Sequence, residues 1–299
     1  MKRFTILFLL FLGTLTTAVC AQETPVCPLG DDYEFAPDLS DEFDGDALDE
    51  TKWFDFNPAW RGRRPSLYSR DAVSVADGTL RLTASQMKPE EIDVEMKARG
   101  YDKYWNATIK SKRKLAYGYY EARCKSMNAC VCNAFWLYDP FSDRPDIKYV
   151  EGESSEEIDV LECCGKFRDG SSGRIHYATA LRYGTPYLES IVNKSREDLP
   201  NGHRETKTDF DFWADYHTFA LAWTPESLRW FVDGKEVFSR ENDYYNRPLH
   251  IVLDCEVIPF WLGEPDPADL PATFSVDYVR VWRLKNAPEP QALPEPKKK

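Results

Sequence analysis

The sequence predicts an all-β protein, a sandwich of two antiparallel sheets packed face to face with a concave cleft. Three observations carry that expectation. Short segments of alternating apolar and polar residues recur along most of the chain, turn dipeptides separate them, and no long amphipathic helix interrupts them. At 299 residues the chain suits one large sandwich as well as two small domains, and no linker or internal repeat divides it. Aromatic residues are plentiful, which fits strands and cores and leaves some rings to stack on flat ligands.

The N-terminus reads as an export signal over residues 1–21. Lys2 and Arg3 precede a mostly apolar run from Phe4 to Leu15, and Val19-Cys20-Ala21 offers small residues for cleavage after Ala21. The run is short for a membrane span, so a secreted or periplasmic protein is expected. Lipid attachment at Cys20 is the alternative, although Thr17-Ala18-Val19 is a poor match to the usual preceding residues. Residues 22–31 read as an unstructured leader, 32–285 as one domain, and the proline-rich 286–299 as a disordered tail.

Within the domain, Ala72–Val75 and Leu80–Thr83 flank Asp77-Gly78, and Leu228–Val232 and Glu236–Ser239 flank Asp233-Gly234. Both read as hairpins with the favoured Asp-Gly turn. Further strands are expected at 117–125, 134–138, 157–162, 174–181, 217–223, 249–253 and 274–282.

Composition narrows the partners. The formal net charge is −12, and losing Lys2 and Arg3 with the signal takes it to −14. A chain so acidic is a poor ligand for nucleic acid or anionic membranes, which require a basic face. The four histidines are scattered without metal-binding spacing. Cleavage after Ala21 leaves seven of the eight cysteines, an odd number without zinc-ribbon spacing, so buried thiols with at most an occasional bridge are expected.

The most informative stretch is Ser155-Glu156-Glu157-Ile158-Asp159-Val160-Leu161-Glu162. On a regular strand Glu157 and Asp159 share a face and Glu162 lies on the other. One extra residue, a β-bulge after Asp159, returns Glu162 to the face of the other two. Two carboxyls roughly 5–5.5 Å apart are what a retaining glycosidase needs, one as nucleophile and one as acid/base. An aspartate between them can hydrogen-bond the nucleophile and keep the acid/base partly protonated by like-charge coupling. The alternative is a surface strand of solvated acids.

Glu157, Asp159 and Glu162 also fit the E-x-D-x-x-E signature of glycoside hydrolase family 16, and the resemblance extends further. Ser40-Asp-Glu-Phe-Asp-Gly45 resembles that family's opening segment, Tyr117–Arg123 its cleft-edge strand, Phe135-Trp-Leu137 the strand before the catalytic one, and Phe274–Trp282 its closing strand. The resemblance implies a jelly-roll (concanavalin-like) sandwich and a retaining mechanism, with Glu157 as nucleophile, Asp159 as its helper and Glu162 as acid/base. It also implies a structural calcium ion on the convex face, held by Glu42, the Gly78 carbonyl and Asp277, whose oxygen ligands suit that ion. No cofactor is implied for the chemistry itself.

Glu162-Cys-Cys-Gly165 and Asn57-Pro-Ala-Trp-Arg-Gly-Arg-Arg-Pro65 resemble the enzymes of the family that act on red-algal galactans, which implies a monomeric endo-β-galactanase on agar, porphyran or carrageenan. Arg61, Arg63 and Arg64 form a basic cluster in an acidic chain, and an arginine fork suits a sulfate ester. We therefore expect Arg61 or Arg63 to contact an anionic sugar; a solvated turn is the alternative. Trp60, Trp136, Tyr138 and Trp261 are candidate stacking platforms, and His176 and Glu256 candidate hydrogen-bonding residues. The competing readings are a β-1,3-glucanase, a transglycosylase, and a non-catalytic carbohydrate-binding protein. The acidic insert from Phe141 to Ser155 has no readable role.

Overall fold

The alternating segments become strands. The computed structural model describes residues 24–139, 154–167, 174–183, 202–242 and 245–289, with the side chains of 154–155, 174–183 and 202–206 outside that description. In chain order the strands are β1 (Tyr33–Phe35), β2 (Trp53–Phe54), β3 (Ser66–Tyr68), β4 (Val73–Ala76), β5 (Thr79–Gln86), β6 (Tyr104–Leu115), β7 (Gly118–Lys125), β8 (Cys132–Asp139) and β9 (Ser154–Cys164). They continue with β10 (Arg174–Tyr183), β11 (Gly202–Lys207), β12 (His217–Trp223), β13 (Ser227–Val232), β14 (Lys235–Glu241), β15 (Leu249–Glu256) and β16 (Ala272–Leu284). The one α-helix among the described residues, α1 (Val94–Arg99), is capped by the Asp93 carboxylate, which accepts from the Met96 N–H, and by left-handed Gly100.

Two layers result. One sheet runs β11-β10-β9-β8-β15-β6 and the other β5-β16-β7-β12-β13-β14, joined along one edge where Ser85 and Gln86 of β5 pair with Trp105 and Tyr104 of β6. Both expected Asp-Gly hairpins form, with positive φ at Asp77, Gly78, Asp233 and Gly234, as a type I′ turn requires. Between the layers lies a core that includes Phe135, Leu137, Ile158, Val160, Leu161, Leu221, Trp230, Leu253 and Val281. Truncating one such aromatic, as in Phe135→Ala, would cost about 3–5 kcal/mol.

Two departures from the sequence reading stand out. From residue 24 the expected unstructured leader is packed: Cys27 is buried with Leu29, Tyr33 and Phe35 against Tyr119, Phe231 and Trp282, and the Trp282 indole donates to the Pro25 carbonyl at 2.9 Å. Those few apolar anchors cover one patch of the outer face of the second sheet and remove it from water. The second departure is β6, a strand too polar to read as one. Its Asn106, Thr108 and Lys110 are buried, alternating with core residues Ala107 and Ile109. β2 and β3 pair with β6, and the Ser69 N–H bonds the Asn106 carbonyl, so this stretch of chain covers part of the strand. All seven cysteines of the described residues are buried free thiols. No helix among the described residues is long and apolar enough to cross a membrane.

Candidate active site

The outer face of the β9-β8-β15 sheet is concave and, with the loop at residues 57–63, encloses a cleft of about 400 Å³. Alternation decides which side chains reach it. On β8, Phe135 and Leu137 enter the core while Ala134, Trp136 and Tyr138 face the cleft. On β15, Leu253 and Cys255 enter the core while Asp254 and Glu256 face the cleft.

On β9 simple alternation fails in the way the acid spacing predicts. Glu162 pairs with Ala134 and Asp159 with Trp136, so Val160-Leu161 opposes the single residue Phe135, and the ladder to β10 slips at the same place. Val160 and Leu161 both enter the core, and Glu157, Asp159 and Glu162 all line the cleft. The bulge is what brings the third acid to the face of the other two.

The 57–63 loop brings Asn57, Ala59, Trp60 and Arg63 to the cleft wall. Gly62 makes this possible: it has a φ of +113°, and a Cβ there would lie 3.2 Å from the Ser66 carbonyl and 3.3 Å from the Tyr68 N–H. The turn separates the two arginines. Arg63 donates through Nε to Glu256 Oε2 at 3.1 Å, and its guanidinium lies 5.3 Å from the Trp60 ring centroid and 5.4 Å from that of Phe260. Arg61 turns away, 65% exposed and 3.8 Å from Glu95 of α1, and does not line the cleft. Of the two expected arginines, only Arg63 is therefore placed to meet a ligand there.

Beneath this wall lies a buried acid pair. Asp254 Oδ2 accepts from the Tyr68 hydroxyl and from the Trp136 indole, both at 3.1 Å, which fixes the Trp136 ring. Burial is the main force raising Asp254 to about 7, and the nearby Glu162 carboxylate adds to it; burial and then the Asp254 charge raise Glu256 to about 8. The arginine and the indole N–H pull the other way, and the two acids titrate as a coupled pair that retains a proton near neutral pH. Glu256 Oε1 is buried without a hydrogen-bond partner among the described residues, a cost left open toward the cleft.

The remaining expectations divide. Trp60, Trp136, Tyr138 and Glu256 line the cleft, with the Trp136 and Tyr138 rings 5.2 Å apart. Trp261 is 43% exposed and lies outside the lining. The His176 backbone pairs with Glu162 across β10 and β9, but its side chain lies outside the described residues, as does the insert up to residue 153. Asp254, Asn57, Tyr68 and Phe260 were not anticipated. For Asp254 the signal was present, two residues before Glu256 on the same strand face.

The calcium ligands expected on the convex side do not fit that role. Arg280 grips Glu42 with two bonds of 2.8 Å, and Arg123 donates to Asp277 at 2.7 Å. Both carboxylates are thus already compensated by neighbouring arginines, which an incoming ion would have to displace.

A family model described as the GH16 domain of β-porphyranases A–D matches residues 33–284. The chain belongs to this family. As a member of glycoside hydrolase family 16 it is a glycoside hydrolase, as its acid motif and fold lead one to expect. It is 28% identical over 292 residues to β-porphyranase D of Zobellia galactanivorans, a match covering 91% of this chain and 65% of that protein. It is 26% identical over 288 residues to β-porphyranase B of Phocaeicola plebeius, covering 87% of each. Among solved structures, porphyranase B of Zobellia galactanivorans superposes with a TM-score of 0.64 at 19% identity, over 84% of this chain and 92% of that one, which speaks for the shared jelly-roll fold.

Proposed function

We propose that this family 16 hydrolase is an exported, retaining endo-β-galactanase that cuts a sulfated red-algal galactan of the porphyran type. The observation that carries the reading is the bulge, which gathers Glu157, Asp159 and Glu162 on one strand face inside the cleft. In this scheme Glu157 attacks the anomeric carbon while Glu162 protonates the departing glycosidic oxygen, forming a glycosyl ester. Water then attacks that ester with Glu162 as base, and the proton returns to it. Asp159 orients Glu157.

Trp136 and Tyr138 stack on sugar faces with Trp60 at the rim, and the carboxyl of Glu256 accepts from a sugar hydroxyl. Arg63 supports the sulfate assignment: only its Nε has a hydrogen bond among the described residues, and two aromatic rings hold its fork beside the cleft. Export rests on the Lys2-Arg3 and apolar segment of the sequence.

The deciding experiment incubates purified protein with porphyran, agarose, κ-carrageenan and laminarin, and resolves released oligosaccharides by mass. Oligosaccharides from porphyran, absent with Glu157→Gln, are the expected result. Release from laminarin alone would overturn the galactan assignment and leave the catalytic acids in place.

A further inference from the structure

The bulge that assembles the acids is held from behind. The Trp230 indole N–H, on β13 of the opposite sheet, donates to the Asp159 carbonyl at 2.9 Å through the core. In an unbroken ladder that carbonyl would lie in the plane of its own sheet, aimed at a neighbouring strand. An indole arriving from the facing sheet reaches it only if the peptide unit after Asp159 is rotated toward the core, and that is where β9 slips against both neighbours. Trp230 is itself aimed by an irregularity: the β13–β14 ladder shifts between Trp230 and Phe231. The side chain is only 1% exposed and packs 5.1 Å from Phe238. One buried hydrogen bond thus ties an irregular point of the outer sheet to the irregular point of the acidic strand.

We propose that Trp230 is a positioning residue of the reaction: its indole N–H fixes the rotation of the Asp159–Val160 peptide and so the separation of Glu157, before the bulge, from Glu162, after it. The inference rests on the catalytic assignment proposed for those acids. Without the bond the peptide relaxes toward its ladder, Asp159 and Glu162 turn relative to Glu157, and the nucleophile and acid no longer bracket one glycosidic bond. Small misplacements of this kind cost about a hundredfold in rate.

The molecule contains its own control. Trp282 is comparably buried, and its indole donates to the Pro25 carbonyl at 2.9 Å on the outer face of the second sheet, across the core from β9. Trp282→Phe and Trp230→Phe therefore delete the same kind of bond, an indole N–H to a backbone carbonyl. For Trp230→Phe we expect kcat to fall roughly 10- to 100-fold with KM nearly unchanged. Trp282→Phe should lower Tm comparably and leave kcat and KM at wild-type values.

If both variants lose Tm alike and neither alters kcat, Trp230 is merely structural and the proposal fails. Should Trp230→Phe not fold, an isostere at position 230 with sulfur in place of the indole N–H removes only the donor and is read by the same two measurements. Failure of the underlying assignment looks different: Glu157→Gln and Glu162→Gln would then turn over at wild-type rates, leaving nothing for Trp230 to position.

Discussion

The two outer faces of this sandwich treat negative charge in opposite ways. On the convex side the acids have built-in compensation: Glu42 is held by Arg280, Asp277 by Arg123, and Asp38 by Arg283 and Arg113. Glu121, buried there, accepts from the Tyr119 and Tyr278 hydroxyls at 3.2 and 2.9 Å. In the cleft, Glu157, Asp159, Glu162, Asp254 and Glu256 converge, and Arg63 is the one cationic side chain among the described residues that line it. Crowding five carboxyls around one arginine raises the energy of the folded state, and a fold keeps such a cost where chemistry or binding uses it. The convex acids are compensated within the fold; in the proposed mechanism the cleft acids serve the reaction.

Removing a cleft acid should therefore hurt activity and spare stability, while removing a convex acid should do the reverse. Glu157→Gln is expected to lower kcat/KM on porphyran by about 10⁴-fold or more, with Tm unchanged or slightly raised. Asp38→Asn should keep full activity and lose at most about 1 kcal/mol, since its arginine contacts lie at the surface. Denaturant midpoints beside initial rates separate the two, and a Glu157→Gln protein that is both active and destabilised would invert the comparison.

The two loop arginines sharpen it next. Arg63→Ala is expected to cost roughly 10- to 100-fold in kcat/KM on a sulfated galactan, since it removes a charged fork and exposes Glu256 to the unrelieved field of Asp254. The loss should be smaller on agarose. Arg61→Ala, whose partner Glu95 lies on the exposed helix α1, should change either activity by less than about twofold. Equal losses on the sulfated and the neutral polymer would remove the sulfate from the account.

The buried pair makes a third, smaller signal. Asp254 and Glu256 have folded-state values raised to about 7 and about 8, well above the roughly 4 of an unfolded carboxyl. The folded state binds these protons more tightly, so the pair's contribution to stability is complete below pH 4 and declines as pH rises through 7 to 8. Tm measured at pH 5, 7 and 9 should fall by a few degrees across that range, and Glu256→Gln should flatten the fall. A Tm that climbs from pH 5 to pH 9 would show the pair to be held fully ionised.

How much of this was legible beforehand follows from how local each cause is. The three acids and the bulge could be read because spacing on a single strand dictates which face a side chain takes. Trp136 and Tyr138 could be read for the same reason. The division of labour between Arg61 and Arg63 could not, because Gly62 and the approach of Ser66 and Tyr68 decide it. Strand β6 was hidden because its buried polar face meets irregular chain, not an apolar layer. Trp230 fell inside the expected Leu228–Val232 strand with no role of its own, since nothing in Leu228-Arg-Trp-Phe-Val reveals that its N–H ends on Asp159. Distant partners leave little trace in the segments that they join.

Calcium gives the smallest expected effect and the most direct probe of the convex face. If Glu42 and Asp277 formed a calcium site with a Kd of about 10 µM, 1 mM calcium would add about 2.7 kcal/mol. That is roughly 5–10 °C in Tm for a domain of this size. The structure points instead to a shift within about 1 °C between chelator and calcium, because an incoming ion must first displace two arginines. Arg123 is further held by its contact with the Tyr216 ring, 4.8 Å from the centroid. Replacing that cation tests the reason as well as the result. Arg123→Ala leaves Asp277 uncompensated, so calcium should stabilise the variant more than the parent. If parent and variant both gain several degrees, the arginines are not the groups that neutralise this face, and the contrast with the cleft loses its physical basis.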